Sequence, residues 1–215
     1  MSGPVRKPRS AGQNLIIAIS AMLALVAGYY LGNVASGKKP QLQTATVLPE
    51  PRTIKDFNLI DKNGGVFTLQ NFEDKWNLIF FGYSHCPDIC PTALQSMAEV
   101  NKQFDNQTRK QVQTVFISVD PQRDTPDHMK TFVEFFNPDF TAVTGDALQI
   151  KALAQQLGIQ YKIHEADANG NYLVDHSSWL IIINPQGQFH GVISGSHYPS
   201  PDKIARDIEI IIDDY

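Results

Sequence analysis

The strongest constraint on the fold is an alternation of strand and helix signals in the middle of the chain. Residues 78–83 (LIFFGY) form an uninterrupted apolar run, as in a strand that is buried on both faces. Residues 92–104 then carry apolar side chains at helical spacing, and residues 112–119 form a second apolar run. This order predicts a β-α-β unit, in which a crossover helix joins two parallel strands.

Two hairpin signals flank this unit. An Asn-Gly-Gly turn at 63–65 separates short apolar stretches between residues 56 and 69, which predicts a hairpin that leads into the domain. A second turn at 184–187 (NPQG) separates the apolar stretches 179–183 and 189–193. The second signal predicts a hairpin near the C-terminus.

Three further helices have recognisable ends. Thr125 followed by Pro126 predicts a helix start, and Asp146 predicts another start, of a helix that Gly158 ends. Ser200 followed by a proline predicts the last helix. The resulting order predicts an α/β domain over residues 53–215, with a central mixed sheet and flanking helices, and the thioredoxin-like fold is the small fold with this order.

The N-terminal part differs from this domain in composition. Residues 15–31 (LIIAISAMLALVAGYYL) carry no charge and follow a basic segment, 1–14, which contains Arg6, Lys7 and Arg9. Seventeen residues in a helix cover about 25 Å, slightly less than the ~30 Å of a bilayer core. We interpret the run as a single transmembrane anchor, followed by a proline-containing tether over residues 32–52.

The position of the basic residues predicts where the domain lies. Arg6, Lys7 and Arg9 before the span favour a cytoplasmic N-terminus, so we expect a bacterial inner-membrane protein whose domain faces the periplasm. A buried core helix is an alternative for the apolar run, and a signal peptide cleaved near residues 33–36 is another. A cleaved peptide would leave a freely soluble exported domain.

Charge and cysteine content narrow the function. The chain has 215 residues and a formal net charge of -4, so no broad basic surface favours nucleic acid as a partner. Its two cysteines lie four positions apart, as a local pair rather than the framework of a disulfide-rich scaffold. The pair is therefore the first candidate for a functional site.

The cysteines occupy a strand-to-helix junction, in the motif at 86–91 (CPDICP). Because Pro91 disfavours the helical conformation in the residue before it, we expect Cys90 to lie just outside the helix. Both sulfurs then sit at a helix N-terminus, where the dipole and free N–H groups stabilise thiolates. Two buried apolar side chains or a plain structural disulfide are the alternatives.

Three residues between Cys86 and Cys90 give a wider loop than a thioredoxin redox motif and can aim both sulfurs at one ion. Thiolates select soft metals, but structural zinc sites need four protein ligands and iron–sulfur clusters generally need four cysteines. Copper suits two thiolates best. The same pair could instead exchange disulfides with a partner as a redox pair.

A third, nitrogen ligand would complete such a copper site, and the chain has six histidines. His176 lies at 175–178 (DHSS), directly before a predicted strand, where the loop of a thioredoxin-like sheet passes over the cysteine helix, so we predict that His176 is the third ligand. Side chains of consecutive extended residues point apart, which disfavours the neighbour of Cys86. The candidates we rank lower are His85, His128, His164, His190 and His197.

These motifs together resemble the Sco/SenC family of copper chaperones for cytochrome c oxidase assembly. The resemblance rests on residues 82–91 (GYSHCPDICP), 118–126 (SVDPQRDTP) and 175–177 (DHS), and covers nearly the whole chain. It implies a thioredoxin-like fold and a copper ion, Cu(I) or Cu(II), held by Cys86, Cys90 and His176. It also implies delivery to the binuclear copper site of an oxidase subunit, and other copper chaperones or thiol–disulfide proteins as further partners.

A membrane-anchored thiol–disulfide oxidoreductase is the alternative function. In that case Cys86 and Cys90 would be a catalytic redox pair that reduces the oxidase cysteines before copper insertion. Thioredoxin enzymes carry a cis-proline before the strand that here follows residues 175–178, and this segment contains no proline. The difference favours a metal ligand at this position.

Overall fold

The computed structural model describes residues 11–35 and 41–215, which form two units divided after Gln41. In the first unit, residues Ala11–Ala35 form helix α1. No helix among the described residues meets the combined length and apolarity required of a membrane span. The prediction of a transmembrane anchor at 15–31 is therefore not supported by the structure. Arg6, Lys7 and Arg9 lie outside the described residues.

The second unit is built on an eight-stranded mixed sheet with a separate two-stranded sheet beside it. The strands are β1 (Ala45–Arg52), β2 (Asn58–Asp61), β3 (Val66–Thr68), β4 (Trp76–Gly82), β5 (Val112–Ser118), β6 (Thr141–Thr144), β7 (Tyr161–Ile163), β8 (Val174–His176), β9 (Leu180–Ile183) and β10 (Phe189–Ile193). The large sheet has the order β1-β10-β9-β4-β5-β6-β2-β3, and β7 pairs with β8.

Five helices belong to this unit: α2 (Ile89–Gln103), α3 (Asn106–Gln111), α4 (Pro126–Glu134), α5 (Ala147–Gln156) and α6 (Pro201–Asp213). Helix α2 packs against α6, and α4 packs on β6. Three of the predicted helix ends are confirmed. The hydroxyl of Thr125 accepts from the N–H of His128, the carboxylate of Asp146 accepts from two N–H groups of α5, and Gly158 has a φ of 72°.

The predicted β-α-β unit forms the centre of the domain. Every residue of β4 is buried, and β4 pairs in parallel with β5 from Trp76 opposite Val112 to Gly82 opposite Ser118. Both strands therefore end at the same edge of the sheet, where the loops that follow them meet. Both predicted hairpins are also present, as β2 with β3 and β9 with β10.

The predicted tether over 32–52 is wrong at its C-terminal end. Residues Ala45–Arg52 form β1, which pairs antiparallel with β10, and the domain begins at Leu42 instead of residue 53. The two prolines in this strand, Pro49 and Pro51, resemble linker composition but are compatible with an edge strand, which need not donate every N–H group.

One carboxylate fastens the start of the domain. Oδ2 of Asp207, which is fully buried in α6, accepts hydrogen bonds from the N–H groups of Gln43, Thr44 and Ala45 at 2.8, 2.6 and 3.0 Å. It also accepts from the hydroxyl of Thr44 at 2.8 Å. Burial alone raises the pKa of Asp207, but the hydrogen bonds outweigh it and the pKa is lowered. The carboxylate therefore stays charged and holds this segment to α6.

Candidate metal centre

The structure brings Cys86, Cys90 and His176 together, as the sequence analysis expected. Their two sulfurs and one imidazole nitrogen all lie within 4.8 Å of one another. The closest measured pair is Sγ of Cys90 and Nε2 of His176, at 3.3 Å. Both cysteines are free thiols, so no disulfide occupies the sulfurs. We refer to these three residues as the thiol site.

Two details of how these residues are held differ from the predictions. Helix α2 begins at Ile89, so Cys90 lies inside its first turn instead of before it. The missing N–H of Pro91 costs nothing there, because first-turn N–H groups have no partner within the helix. His176 lies at the end of strand β8, opposite Tyr161 of β7, and not in a loop.

A glycine at the end of β4 makes room for the inner sulfur. A Cβ atom added at Gly82 would lie 2.7 Å from Sγ of Cys90 and 2.9 Å from the rings of Phe80 and Phe116. Contacts this short do not occur between unstrained atoms. Gly82 therefore lets the strand backbone pass directly beside Cys90, which is fully buried.

The imidazole of His176 is oriented by its other nitrogen. Nδ1 lies 3.1 Å from the carbonyl oxygen of Ser177, which can only accept, so Nδ1 carries the hydrogen. With Nδ1 engaged there, the ring directs Nε2 at the sulfurs. The edges of Phe80 and Tyr83 enclose the ring, at centroid distances of 5.7 and 6.0 Å. His176 is thus held with Nε2 facing the sulfurs, the orientation that a metal ligand needs.

The two thiols have opposite acidities. A hydrogen bond from the Cys90 thiol, helped by His176 and backbone N–H groups and opposed by burial, lowers the pKa of Cys86 to about 3. Burial, reinforced by the same contact with Cys86, raises the pKa of Cys90. At neutral pH the site therefore holds a partly exposed thiolate, a buried thiol and an imidazole.

This donor set fits a soft metal ion. Two sulfurs and one imidazole nitrogen suit copper, and three protein ligands fall short of the four that a structural zinc site needs. Because a metal binds thiolates, Cys90 must release its proton when an ion enters. The partly exposed Cys86 leaves one side of the site open to an incoming ligand.

A second cluster of possible metal ligands adjoins the first in sequence. Donor atoms of His85, Asp124 and His128 lie within 4.8 Å of one another, around the hydroxyl of Ser84. We refer to these four residues as the imidazole site. The sequence ranked His85 and His128 below His176 as ligands and did not predict that they meet. The signal that could have done so is the parallel pairing of β4 and β5, because the residues that follow both strands meet at one edge.

The remaining histidines also lie outside the thiol site. His164 is exposed and pairs with Asp175, with 2.7 Å between Nε2 and Oδ2. His190 packs against the rings of Trp76 and Tyr215. Neither of them, nor His197, belongs to a cluster of three possible metal ligands among the described residues.

Comparison with known proteins identifies the class. A family model described as SCO1/SenC matches residues 45–213. An SCO2-like protein of Rickettsia felis is 34% identical over 177 residues, which cover 81% of this chain and 86% of that protein. Taken with the geometry, this describes a thioredoxin-like domain with a dithiol–imidazole site. The chain belongs to the SCO1/SenC family.

Two solved structures agree with this assignment. ScoI of Arabidopsis thaliana, solved with copper bound, has a TM-score of 0.65 at 33% identity and covers 72% of this chain and 97% of its own. Apo Sco1 of Thermus thermophilus has a TM-score of 0.73 at 29% identity and covers 81% of this chain and 99% of its own. The mixed α/β, thioredoxin-like fold is thus confirmed.

Proposed function

We propose that this protein is a copper metallochaperone that binds one copper ion through Cys86, Cys90 and His176 and delivers it to cytochrome c oxidase. The observation that carries the proposal is the convergence of two free sulfurs and one oriented imidazole nitrogen within 4.8 Å. Copper bound to a related ScoI of Arabidopsis thaliana supports the choice of metal. The site would accept Cu(I), or Cu(II) with the imidazole as a necessary ligand.

The same geometry supports delivery over permanent storage. Three ligands leave a copper ion accessible, and Cys86 is only partly buried, so a ligand from a partner can attack the ion while Cys90 and His176 still hold it. Each exchanged ligand replaces one bond to copper by another, which requires no change in oxidation state. Transfer can then proceed by stepwise ligand exchange.

Membership of the SCO1/SenC family supports a copper-accepting oxidase subunit as the recipient. We propose the binuclear copper site of that subunit as the destination. Other copper chaperones or thiol–disulfide proteins would load the site or keep its sulfurs reduced. The protein is then an intermediate carrier, which needs a site that both binds and releases.

Copper content of the purified full-length chain under reducing conditions tests the binding. We expect one copper per chain, and loss of binding in Cys86→Ala and in Cys90→Ala, because either change leaves one thiolate for a soft ion. His164→Ala is the matched control, since it removes an exposed histidine that lies outside the thiol site. Full-affinity binding by either cysteine variant would place the copper elsewhere.

The acidity difference between the cysteines favours a second candidate, a thiol–disulfide oxidoreductase. The Cys86 thiolate would attack a partner disulfide and form a mixed disulfide, releasing one partner thiolate. Cys90, after giving up its proton, would then attack Cys86 and release the second partner thiol. The partner gains two electrons and this protein ends with a Cys86–Cys90 disulfide.

His176→Ala separates the two candidates. It removes the nitrogen ligand but leaves both thiols and the hydrogen bond between them, so disulfide exchange should persist while copper retention falls. The loss should be larger for Cu(II) than for Cu(I), which tolerates two sulfurs alone. If the variant binds both ions like the wild type and still supports oxidase maturation in cells, the reductase is the better description.

The location of the domain is a further proposal. We propose that it faces the periplasm of a bacterial cell and is held at the inner membrane by its N-terminal segment. The uncharged run at 15–31, preceded by Arg6, Lys7 and Arg9, supports this orientation. Protease added to spheroplasts should digest the domain, which should also sediment with membranes. Recovery of a cleaved, freely soluble domain would favour a signal peptide instead.

A further inference from the structure

The imidazole site directs three donor atoms at one point. Nδ1 of His85 and Nε2 of His128 lie 3.0 and 2.9 Å from the hydroxyl oxygen of Ser84. That hydroxyl also contacts Oδ1 of Asp124. The two imidazole rings stack, with 5.4 Å between their centroids. Two histidines and one carboxylate, from the loops that follow β4 and β5 and from the first turn of α4, thus surround a single small side chain.

The hydrogens of this cluster can be assigned. An ionised Asp124 only accepts, so Ser84 donates its one hydroxyl hydrogen to it. Both histidine nitrogens must then donate to the two lone pairs of Ser84. The hydroxyl contacts both nitrogens and the carboxylate, and a serine side chain turns about a single χ1 bond. Rotation of Ser84 would leave two ring nitrogens and one carboxylate oxygen facing one another, and all three are possible metal ligands.

The charge of Asp124 is the second observation that points to a cation. Asp124 is fully buried, and a buried carboxylate is costly unless a cation compensates it. Its neighbour Arg123 bonds to Asp120 instead, and no lysine or arginine of the described residues pairs with Asp124. Its ion-pair partner is the exposed His85, at 3.8 Å, which carries a charge only when it is protonated. Hydrogen bonds from Ser84 and Ser118 are its remaining support.

We propose that His85, His128 and Asp124 form a second metal site that binds a divalent ion of borderline softness, Cu(II) above all. On binding, Ser84 turns away, the hydrogens on the two facing ring nitrogens move by exchange with water to the other nitrogen of each ring, and the ion neutralises the buried carboxylate. Metal–nitrogen bonds of about 2.0–2.1 Å place such donors within roughly 4.2 Å of one another, so the observed spacing needs only a small closure. The proposal does not depend on the thiol site.

The donor set decides which ion binds. Imidazole and carboxylate suit Cu(II) and Zn(II), whereas Cu(I) prefers the sulfurs of the thiol site. Cu(II) binds more tightly than Zn(II) to a given set of nitrogen and oxygen donors. Both imidazoles are exposed, so water can complete the coordination of the ion. Cu(II) can therefore bind at either site, whereas Cu(I) is confined to the thiol site.

The test removes the thiol site first. The full-length chain with Cys86→Ser, Cys90→Ser and His176→Ala is titrated with Cu(II) and followed by electron paramagnetic resonance. We expect one Cu(II) per chain, with hyperfine structure from two nitrogens and no sulfur-to-copper absorption. Adding His85→Ala or His128→Ala should lower the affinity by about tenfold or more, since even changes in groups that orient a ligand cost about that much.

Matched variants make the outcome decisive. His164→Ala in the same background removes an exposed histidine beside a carboxylate and should leave Cu(II) affinity unchanged. Because His85 and His128 are both exposed, their replacement should not unfold the domain, which circular dichroism can verify. Absence of bound Cu(II) in the background chain, or equal loss in the His164 and His128 variants, would overturn the proposal. Failure of the thiol site to bind copper would leave this result unaffected.

Discussion

The thiol site and the imidazole site draw on consecutive residues of one loop but differ in chemistry and in burial. Cys86 joins the thiol site with a fully buried partner, Cys90, whereas His85 joins an exposed histidine, His128. Residues 83–86 form a turn closed by a hydrogen bond from the N–H of Cys86 to the carbonyl of Tyr83, and in this turn adjacent residues serve different clusters. One short loop can therefore carry a soft site and a borderline site without mixing their ligands.

The largest expected effect is the difference between Cys86 and Cys90 in their rates of alkylation by iodoacetamide. With its pKa lowered to about 3, Cys86 is a thiolate throughout the neutral range, so its alkylation rate should stay nearly flat between about pH 5 and pH 8. An ordinary thiol below its pKa reacts about tenfold faster per pH unit. Cys90, whose pKa is raised, should stay unmodified. Mass spectrometry of each cysteine over time measures both rates.

Cys90→Ala provides the control for this profile. It removes the thiol that donates to Cys86, which is the first cause of the lowered pKa, so the alkylation curve of Cys86 should move to higher pH. His85→Ala should leave the curve in place, because His85 belongs to the imidazole site. A wild-type rate that rises about tenfold per unit over this range would show that Cys86 is not a thiolate.

Of the two substitutions Gly82→Ala and Ser84→Ala, Gly82→Ala should lower the free energy of unfolding more. The added methyl group would meet Sγ of Cys90 and two buried rings at under 3.0 Å, and overpacking of this kind costs about 1–3 kcal/mol. Urea denaturation of the wild type and the variant measures the difference. Gly65→Ala is the control, because the three atoms nearest to its methyl group belong to a single side chain, that of Asp61, at 3.0 to 3.4 Å. Equal losses for both would mean that the strand does not approach Cys90 this closely.

Ser84→Ala should have a smaller effect. It removes a hydroxyl donor from buried Asp124, and an unmet buried hydrogen bond costs about 1–2 kcal/mol, partly offset here by Ser118 and by the N–H of Ser84. Thr131→Ala removes a hydroxyl on the exposed face of α4 and should change stability by less than about 0.5 kcal/mol. The midpoints of urea denaturation measure both changes in stability. A Ser84→Ala variant as stable as Thr131→Ala would show that Asp124 does not need the hydroxyl of Ser84 as a donor.

The central features were predictable because their signals are local. The apolar run of β4, the spacing in α2 and the prolines around the cysteines are each visible within about ten residues of sequence. β1 was missed because Pro49 and Pro51 make it resemble a linker, and only its pairing with β10 shows that it is a strand. Short β7 and β8 were missed because exposed three-residue strands carry almost no periodicity.

The thiol site likewise depends on local sequence signals, whereas the imidazole site depends on contacts between distant parts of the sequence. Cys86 and Cys90 lie in one motif, and the order of the elements predicted His176 beside them. His85 lies in the loop after β4 and His128 in the first turn of α4, and neither has a sequence motif of its own. Their contact depends on the parallel register of β4 and β5, which brings the residues that follow Gly82 and Ser118 to the same edge. Sequence patterns do not contain that register.

The hydrogen bonds from residues 43–45 to Asp207 determine how the domain responds to a pulling force. This carboxylate holds three successive residues at the point where the chain enters the domain, immediately before edge strand β1. Tension applied through the preceding residues must break several hydrogen bonds at Asp207 together before it can peel β1 from β10 one pair at a time. A force applied at the N-terminal end of the domain therefore acts first on these hydrogen bonds and not on the sheet that carries both sites.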